Sequence, residues 1–340
     1  MTLFEPDRPH RSTVPRLLGY GLSIIFLVWV LRDFHVVRAL RDMANANWKW
    51  VLVGMSCDVM SYVFQSLRWK LLLSPFGKVR ITKAIRAVFS GLFANLVLPL
   101  RPGEFLRGYI LSGSEDIKLG LTLGSIGVER LVDLVIATAS LGVASLLVDF
   151  PAAGVAGARF RRVADILGIG VLVLVTIIVA LILYLEIKLG SNEPPSEEDG
   201  GLKGKLMGAL SALHAMGTAP SFYPAVLFSL GVPGFQILAM WAMMKSYSLQ
   251  LPFLVAVVVV LVINLGISLP NAPANVGSYQ FFCVLGLSVF QVEKTTATGF
   301  SIFAFIALTL PLLFLGMAAL VRSGLSLRTM RERVSDPNKA

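Results

Sequence analysis

The chain has 340 residues, of which 56% are hydrophobic and 15% are charged, with a formal net charge of +10 and a mean hydropathy of +0.76. Soluble domains carry about 25% charged residues, so this composition excludes an ordinary soluble protein. The positive charge does not indicate nucleic-acid binding, because Lys and Arg gather near the ends of apolar segments, as in loops beside an anionic membrane surface. We therefore predict an all-α, polytopic helical membrane protein that binds no nucleic acid.

Apolar blocks recur along the whole chain, and one helical span of a bilayer needs about 20 apolar residues. The blocks lie at 17–31, 48–73, 84–100, 119–149, 163–187, 221–245, 251–270, 275–290 and 296–321. The first block ends without the small-residue pattern of a signal-peptide cleavage site, so we interpret it as an uncleaved span. Two of the later blocks are interrupted by Pro and Gly, which leaves about seven full spans.

One stretch resembles an aqueous linker. Residues 190–201 read GSNEPPSEEDGG and combine four acids with Pro-Pro and Gly-Gly. We predict one transmembrane domain over 1–325, in which this acidic linker separates a half at about 15–189 from a half at about 202–325. Residues 326–340 form a basic C-terminal tail.

The distribution of basic residues predicts the orientation. If the N-terminus is cytoplasmic and two segments enter and leave on the same side, about twice as many Lys and Arg lie inside as outside. The cluster between Arg68 and Arg86 contributes most to this count, whereas the arginines at 159–162 oppose it. We expect both termini on the cytoplasmic side of the inner (plasma) membrane.

Few residues offer catalytic or metal chemistry. The two cysteines lie inside apolar segments, and the three histidines show no ligand spacing. No nucleophile constellation is apparent. We therefore expect no metal, no cofactor and no enzymatic activity.

Two apolar segments are broken in a similar way. NLVLPLRPGEFLRGYIL, which begins at Asn95, is echoed by NLGISLPNAPANVGSYQFFCVLGL, which begins at Asn264. Each has Asn-Leu, two prolines, a glycine and then an apolar run, and one copy lies in each half. Paired Gly/Pro-interrupted segments indicate a transporter site near the middle of the membrane. We predict two re-entrant hairpins in a weak two-fold internal repeat, with two ordinary proline kinks as the alternative.

The first broken segment is charged. Each unpaired charge in hydrocarbon costs about 2.5–3.5 kcal/mol, so Arg101, Glu104 and Arg107 require a hydrated, protein-lined cavity. Pro102 suits the first turn of a helix, Glu104 then faces the positive helix end, and Arg107 lies within pairing reach of Glu104. A half-helix N-terminus with two arginines predicts a phosphate site.

Two further groups complete the candidate site. In the second broken segment, five polar side chains offer hydrogen bonds without charge. In GSIGVERLVDLVIA, residues 124–137, Glu129 and Asp133 share a helix face and Arg130 can reach Asp133. These charges form either a salt-bridge clasp between helices or a second wall of the cavity, including a proton relay. The candidate substrate-binding residues are Asn95, Arg101, Glu104, Arg107, Glu129, Arg130, Asp133, Asn271, Asn275, Ser278, Tyr279 and Gln280.

These motifs resemble a known family. The Asn-(x)3-Pro…Gly-Glu-x-x-Arg of 95–107, the Glu-Arg-Leu-x-Asp of 129–133 and the Pro-x-x-Pro…Gly-x-x-Gln of 270–280 are similar to signatures of the lysylphosphatidylglycerol synthase transmembrane (flippase-like) family. The resemblance implies a multi-span domain with two re-entrant helices that moves phospholipids or lipid-linked headgroups between leaflets. Gln280 stands where the family usually has an acid. We do not expect the soluble aminoacyl-transferase domain of bifunctional members, nor synthesis of lysylated lipid.

We therefore expect a flippase for an anionic phospholipid or a lipid-linked headgroup or glycan, in which Arg101 and Arg107 hold a phosphate. Its partners would be membrane lipids, including polyprenyl-phosphate-linked ones. One alternative is a non-transporting accessory subunit that presents lipid to a separate synthase or glycosyltransferase. A membrane enzyme acting on lipid headgroups is the other.

Overall fold

The computed structural model describes residues 13–32, 34–98, 101–115, 117–147, 215–268 and 272–323, with isolated residues between 162 and 177. Within these ranges the chain is helical and contains no strand, which confirms the predicted all-α class. The predicted linker at 190–201, the tail at 326–340 and the candidate residue Asn271 lie outside the described residues. The division into two halves at the linker stays a prediction.

Ten α-helices are labelled here in chain order. Before the linker they are α1 (Thr13–Leu31), α2 (Val36–Ala44), α3 (Trp48–Leu73), α4 (Ile81–Val97), α5 (Gly103–Glu115) and α6 (Leu119–Leu147). After it they are α7 (Phe222–Ser246), α8 (Phe253–Ile267), α9 (Ser278–Ser288) and α10 (Lys294–Arg322), with a 3-10 turn at Pro273–Asn275 between α8 and α9.

Two of the described helices, α7 and α10, are long and apolar enough to cross a membrane. A third span results if Gly19–Leu31 and Val36–Ala44, which meet at 85°, form one bent span. α8 is apolar but shorter, and α6 carries three charged residues in its middle. The chain is a helical membrane protein, and the predicted total of about seven spans stays a prediction.

The first break folds the chain back on itself. α4 ends at Val97, α5 begins at Gly103, and the two helices pack against each other. A Cβ atom on Gly103 would overlap the carbonyl oxygen of Gly91, so only glycine allows this close approach. Arg101 has a left-handed φ of 53°, and the Pro102 carbonyl accepts the Leu106 N–H of the new helix at 3.0 Å. The proline therefore stands immediately before α5, close to its predicted place in the first turn.

The second break has the same outline with a longer connection. α8 ends at Ile267, α9 begins at Ser278, and these two helices also pack together. Ala274, Asn275 and Gly277 have positive φ values of 56°, 58° and 87°. A Cβ atom on Gly277 would overlap the Ser23 carbonyl oxygen of α1. The first helix thus supports the turn that begins α9.

The core joins the two helix sets. α3 packs most extensively against α7, and α10 packs against both α4 and α9. One buried cluster surrounds Met243, Val259 and Phe300, and another surrounds Trp69 and Leu111. Each break therefore lies beside helices from the other part of the chain.

Candidate functional site

A side chain of α4 caps the N-terminus of α5. The Asn95 Oδ1 atom accepts the Gly103 N–H at 2.8 Å, which satisfies one of the N–H groups that a helix start leaves free. Glu104 lies in the first turn, as predicted, where the helix dipole favours a carboxylate. Asn95 thus fixes the hairpin geometry.

Glu129 of α6 is the centre of a buried ion-pair network. Its Oε1 accepts the Arg68 Nε–H at 3.2 Å, and its Oε2 accepts from Arg107 Nη2. All three side chains are buried. One carboxylate therefore ties α3 and α5 to α6.

Asp133 and Arg130 extend this network toward the surface. Asp133 accepts two bonds from the Arg68 guanidinium, one of them Nη2 to Oδ2 at 3.2 Å. Arg130 Nη1 lies 3.6 Å from the same Asp133 Oδ2 atom, and its Nε donates to Glu104 Oε2 at 3.3 Å. The predicted common face of Glu129 and Asp133 is confirmed, since both bind Arg68, and so is the reach of Arg130 to Asp133.

The structure does not form the expected pair between Glu104 and Arg107, and the expected loop position of Arg68 is wrong. Arg107 pairs with Glu129 and Glu104 pairs with Arg130, although one helical turn separates Glu104 from Arg107. The reason is that α6 packs on α5 and brings a partner to each, so that both charges are neutralised across a helix interface. Arg68 was counted as a loop residue, but it lies within α3 and its side chain is buried. The orientation count therefore loses one inside charge.

Arg107 has only part of its hydrogen-bonding capacity satisfied. Its guanidinium carbon lies 4.9 Å from the centroid of the Trp69 ring, and Trp69 Nε1 donates to Ser125 Oγ at 2.8 Å. The Nε and Nη1 atoms of Arg107 have no acceptor in the described part of the chain. Glu129 and the indole face therefore hold this charge in place.

The network becomes more exposed from α3 outward. The side chains of Arg130, Glu104 and Asp133 are 50%, 34% and 29% exposed, and Arg101 is also exposed. None of the ion pairs among the described residues involves Arg101. With Arg101 included, four arginines face three carboxylates, so the exposed edge carries one excess positive charge.

Arg101 connects the two breaks. Its Nη1 donates to the Ile267 carbonyl oxygen at 2.8 Å, and Ile267 is the last residue of α8. A cation at a helix C-terminus is favoured by the helix dipole. The charged first break and the uncharged second break thus meet directly.

Polar residues of the second break divide into two groups. Ser278 and Gln280 are buried, and Gln280 Oε1 accepts the Gly277 N–H at 2.7 Å, which caps the start of α9. An amide therefore makes this contact at the position where the resemblance noted above has an acid. Asn275 and Tyr279 instead line a cavity.

This cavity has a volume of about 150 Å³ and lies between α3, α4, α7, α8, the 3-10 turn, α9 and α10. Its polar lining residues are Asp58, Tyr62, Gln236, Asn264, Asn275, Tyr279 and Thr309. The remaining lining residues are apolar, among them Leu96, Met240 and Ile267.

Sequence reasoning missed Asp58, Tyr62, Gln236 and Thr309 of this cavity, as well as Arg68 of the network. Asp58 and Arg68 both carried a usable signal, because an ionisable residue inside an apolar block indicates a functional or paired position. The neutral residues carried none, since Tyr, Gln and Thr are common in membrane helices.

Comparison with known proteins places this chain in a family. The chain matches the family model of the lysylphosphatidylglycerol synthase TM region over residues 16–316, and it belongs to that family. It is similar to the UPF0104 membrane protein MJ1595 of Methanocaldococcus jannaschii, with 27% identity over 118 residues. It is also similar to the glycosyltransferase AglD of Haloferax volcanii, with 24% identity over 151 residues.

Both similarities are partial. They cover 34% and 44% of this chain, and 35% and 24% of the archaeal relatives. The chain thus spans about a third and about a quarter of these two relatives.

Proposed function

We propose that this member of the lysylphosphatidylglycerol synthase transmembrane family moves an anionic phospholipid or a lipid-linked headgroup between the leaflets of the inner membrane. The observation that carries the proposal is the meeting of the two breaks, where Arg101 of the first binds the last carbonyl of α8 beside a polar cavity. Interrupted helices that meet within a membrane protein form substrate sites in transporters. The family relation supports a lipid as the substrate.

The helix lengths support a two-fold repeat with re-entrant hairpins. α3, α4, α5 and α6 contain 26, 17, 13 and 29 residues. α7, α8, α9 and α10 contain 25, 15, 11 and 29 residues. In each set a long helix is followed by two short helices that pack on each other and then by another long helix, as expected if each short pair enters and leaves on one side.

The phosphate would contact Arg101 and Arg130. Both are exposed at the open edge of the network, and together with the acids they leave one positive charge for an anion. Arg107 is buried against Glu129, so its proposed role is to position α5 and not to bind the phosphate itself.

A proteoliposome assay tests this function. The purified protein is reconstituted with fluorescent phosphatidylglycerol in both leaflets. Dithionite bleaches the outer-leaflet label at once, and the further loss of fluorescence reports the movement of inner-leaflet label to the outer leaflet. We expect faster movement than in protein-free vesicles, and Arg101→Gln should slow it by about tenfold or more, as for loss of a charge-assisted contact.

Arg38→Gln is the matched control, because Arg38 forms an exposed ion pair with Glu293 away from the breaks. It should transport like the wild type. If the wild type moves no labelled phosphatidylglycerol or polyprenyl phosphate, the proposed function is wrong. If Arg101→Gln equals Arg38→Gln, the proposed phosphate contact is wrong.

A second candidate function rests on the similarity to a glycosyltransferase. A non-transporting subunit that presents lipid to a separate synthase or glycosyltransferase would use the same polar breaks. It predicts stable co-purification with such an enzyme and no lipid movement by the protein alone. In both candidates the chain itself catalyses no reaction.

The proposed orientation keeps both termini on the cytoplasmic side. Single cysteines in the connection between α3 and α4 should then react with a membrane-impermeant thiol reagent only when the inner face is accessible. Labelling from the outer face would show that the proposed orientation is wrong.

A further inference from the structure

Asp58 is a buried acid whose charge is not matched. It lies in the middle of α3, is 8% exposed and lines the cavity. None of the ion pairs among the described residues includes it. A buried carboxylate without a counter-charge is costly, so it requires a positive partner or a proton.

The cavity offers neutral oxygen atoms beside this carboxylate. Asn264 turns its amide nitrogen toward Gln236 Oε1, at 3.5 Å, which leaves its carbonyl oxygen for another partner. The Tyr279 hydroxyl is buried and has no hydrogen-bond partner in the described part of the chain. Among the lining residues that the structure describes, Asp58 alone is charged.

One helix end adds negative potential. α4 ends at Val97 and contributes Leu96 of its last turn to the lining, whereas the end of α8 is already occupied by Arg101, which donates to the Ile267 carbonyl oxygen. The C-terminus of a helix carries a partial negative charge on carbonyl groups without helical partners. Half-helix C-terminal ends are used in this way to hold cations in transporters.

We propose that this cavity binds a single alkali-metal cation, held by the Asp58 carboxylate and by neutral oxygens that include those of Asn264 and Tyr279. One carboxylate matches one positive charge, and oxygen ligands suit a hard cation. The described residues contain no group of three or more acidic, His or Cys side chains placed around a metal, whereas a monovalent site needs only one. A water occupies roughly 30 Å³, so the cavity accommodates an ion with a few waters.

The site goes beyond the proposed lipid function, because it takes the opposite charge at different residues. The test therefore uses the full-length protein purified in detergent and no transport step. Binding of 22Na⁺ is measured with competition by NaCl or KCl. Thermal unfolding is compared in NaCl, KCl and choline chloride at constant ionic strength.

We expect the wild type to bind 22Na⁺ and to unfold at a higher temperature in NaCl or KCl than in choline chloride. Asp58→Asn should weaken binding about 30-fold or more, as for the loss of one partner of a buried charge pair, and should remove the shift. Glu293→Gln changes an exposed acid outside the cavity, and it should behave like the wild type.

A folding defect in Asp58→Asn would not be mistaken for loss of cation binding. Asp58→Asn removes an unpaired buried charge, so in choline chloride its unfolding temperature should equal or exceed that of the wild type. The proposal is overturned if the wild type binds no 22Na⁺ and unfolds at one temperature in all three salts, or if Asp58→Asn binds as tightly as the wild type. Because no lipid is moved, failure of the lipid assay leaves this result unchanged.

Discussion

Replacing Glu129 by Gln tests whether the buried network stabilises the fold. Glu129 is 0% exposed and accepts from both Arg68 and Arg107. After the change Arg68 keeps Asp133 as a counter-charge, whereas Arg107 retains no carboxylate. The loss is therefore one uncompensated buried guanidinium, and breaking a buried pair in this way costs about 3–5 kcal/mol.

Glu104→Gln is the matched control in the same network. Its side chain is 34% exposed, and its partner Arg130 keeps Asp133 nearby. Solvent screens such a pair, so the expected loss is at most about 1 kcal/mol. A second control, the double variant Glu129→Gln with Arg107→Met, should recover much of the lost stability, because it removes the uncompensated charge and keeps an apolar side chain against Trp69.

Unfolding of the purified variants by SDS titration, followed by tryptophan fluorescence, measures these free energies in one experiment. A free energy of unfolding for Glu129→Gln within about 0.5 kcal/mol of the wild type, the scale of an unimportant surface substitution, would contradict a stabilising role of the buried network. A larger loss for Glu104→Gln, or a double variant less stable than Glu129→Gln alone, would contradict it as well.

Two backbone predictions concern the breaks. Gly103→Ala places a methyl group against the Gly91 carbonyl and should greatly lower the yield of monodisperse protein on gel filtration, whereas Gly113→Ala in the same helix meets open space and should be neutral or stabilising by about 0.5–1 kcal/mol. Gly277→Ala combines a φ of 87° with overlap on Ser23, so we expect a lower unfolding temperature and easier proteolysis at the second break. A wild-type yield for Gly103→Ala, or an unchanged protease pattern for Gly277→Ala, would contradict the packing described here.

The sequence predicted the features that depend on local chemistry. Pro and Gly marked both breaks, and the spacing of Glu129 and Asp133 gave their common face, because helix periodicity follows directly from residue number. The position of Glu104 in the first turn followed from the same rules. These features hold whatever packs against the helix.

Pairing across helices could not be predicted in the same way. Spacing placed Arg107 within reach of Glu104 but gave no information about α6, which supplies the actual partners of both. Arg68 lies 61 residues from Glu129 along the chain, so no local rule joins them. The cavity depends on seven separate elements, and its neutral residues became recognisable only when the fold brought them beside Asp58.

The charges of the site acquire different roles once their partners are known. Three arginines are matched by three carboxylates, so the set carries no net charge, and its ion pairs hold α5 against α3 and α6. The arginines are Arg68, Arg107 and Arg130, and the carboxylates are Glu104, Glu129 and Asp133. Arg101 and Asp58 are left without charged partners among the described residues. Arg101 is exposed and tied to the end of α8, whereas Asp58 faces the cavity. Since a substrate must interact more strongly with one state of a transporter than with another to move its equilibrium, the proposed anion would act on the junction of the breaks through Arg101 together with Arg130, and the proposed cation would act through Asp58.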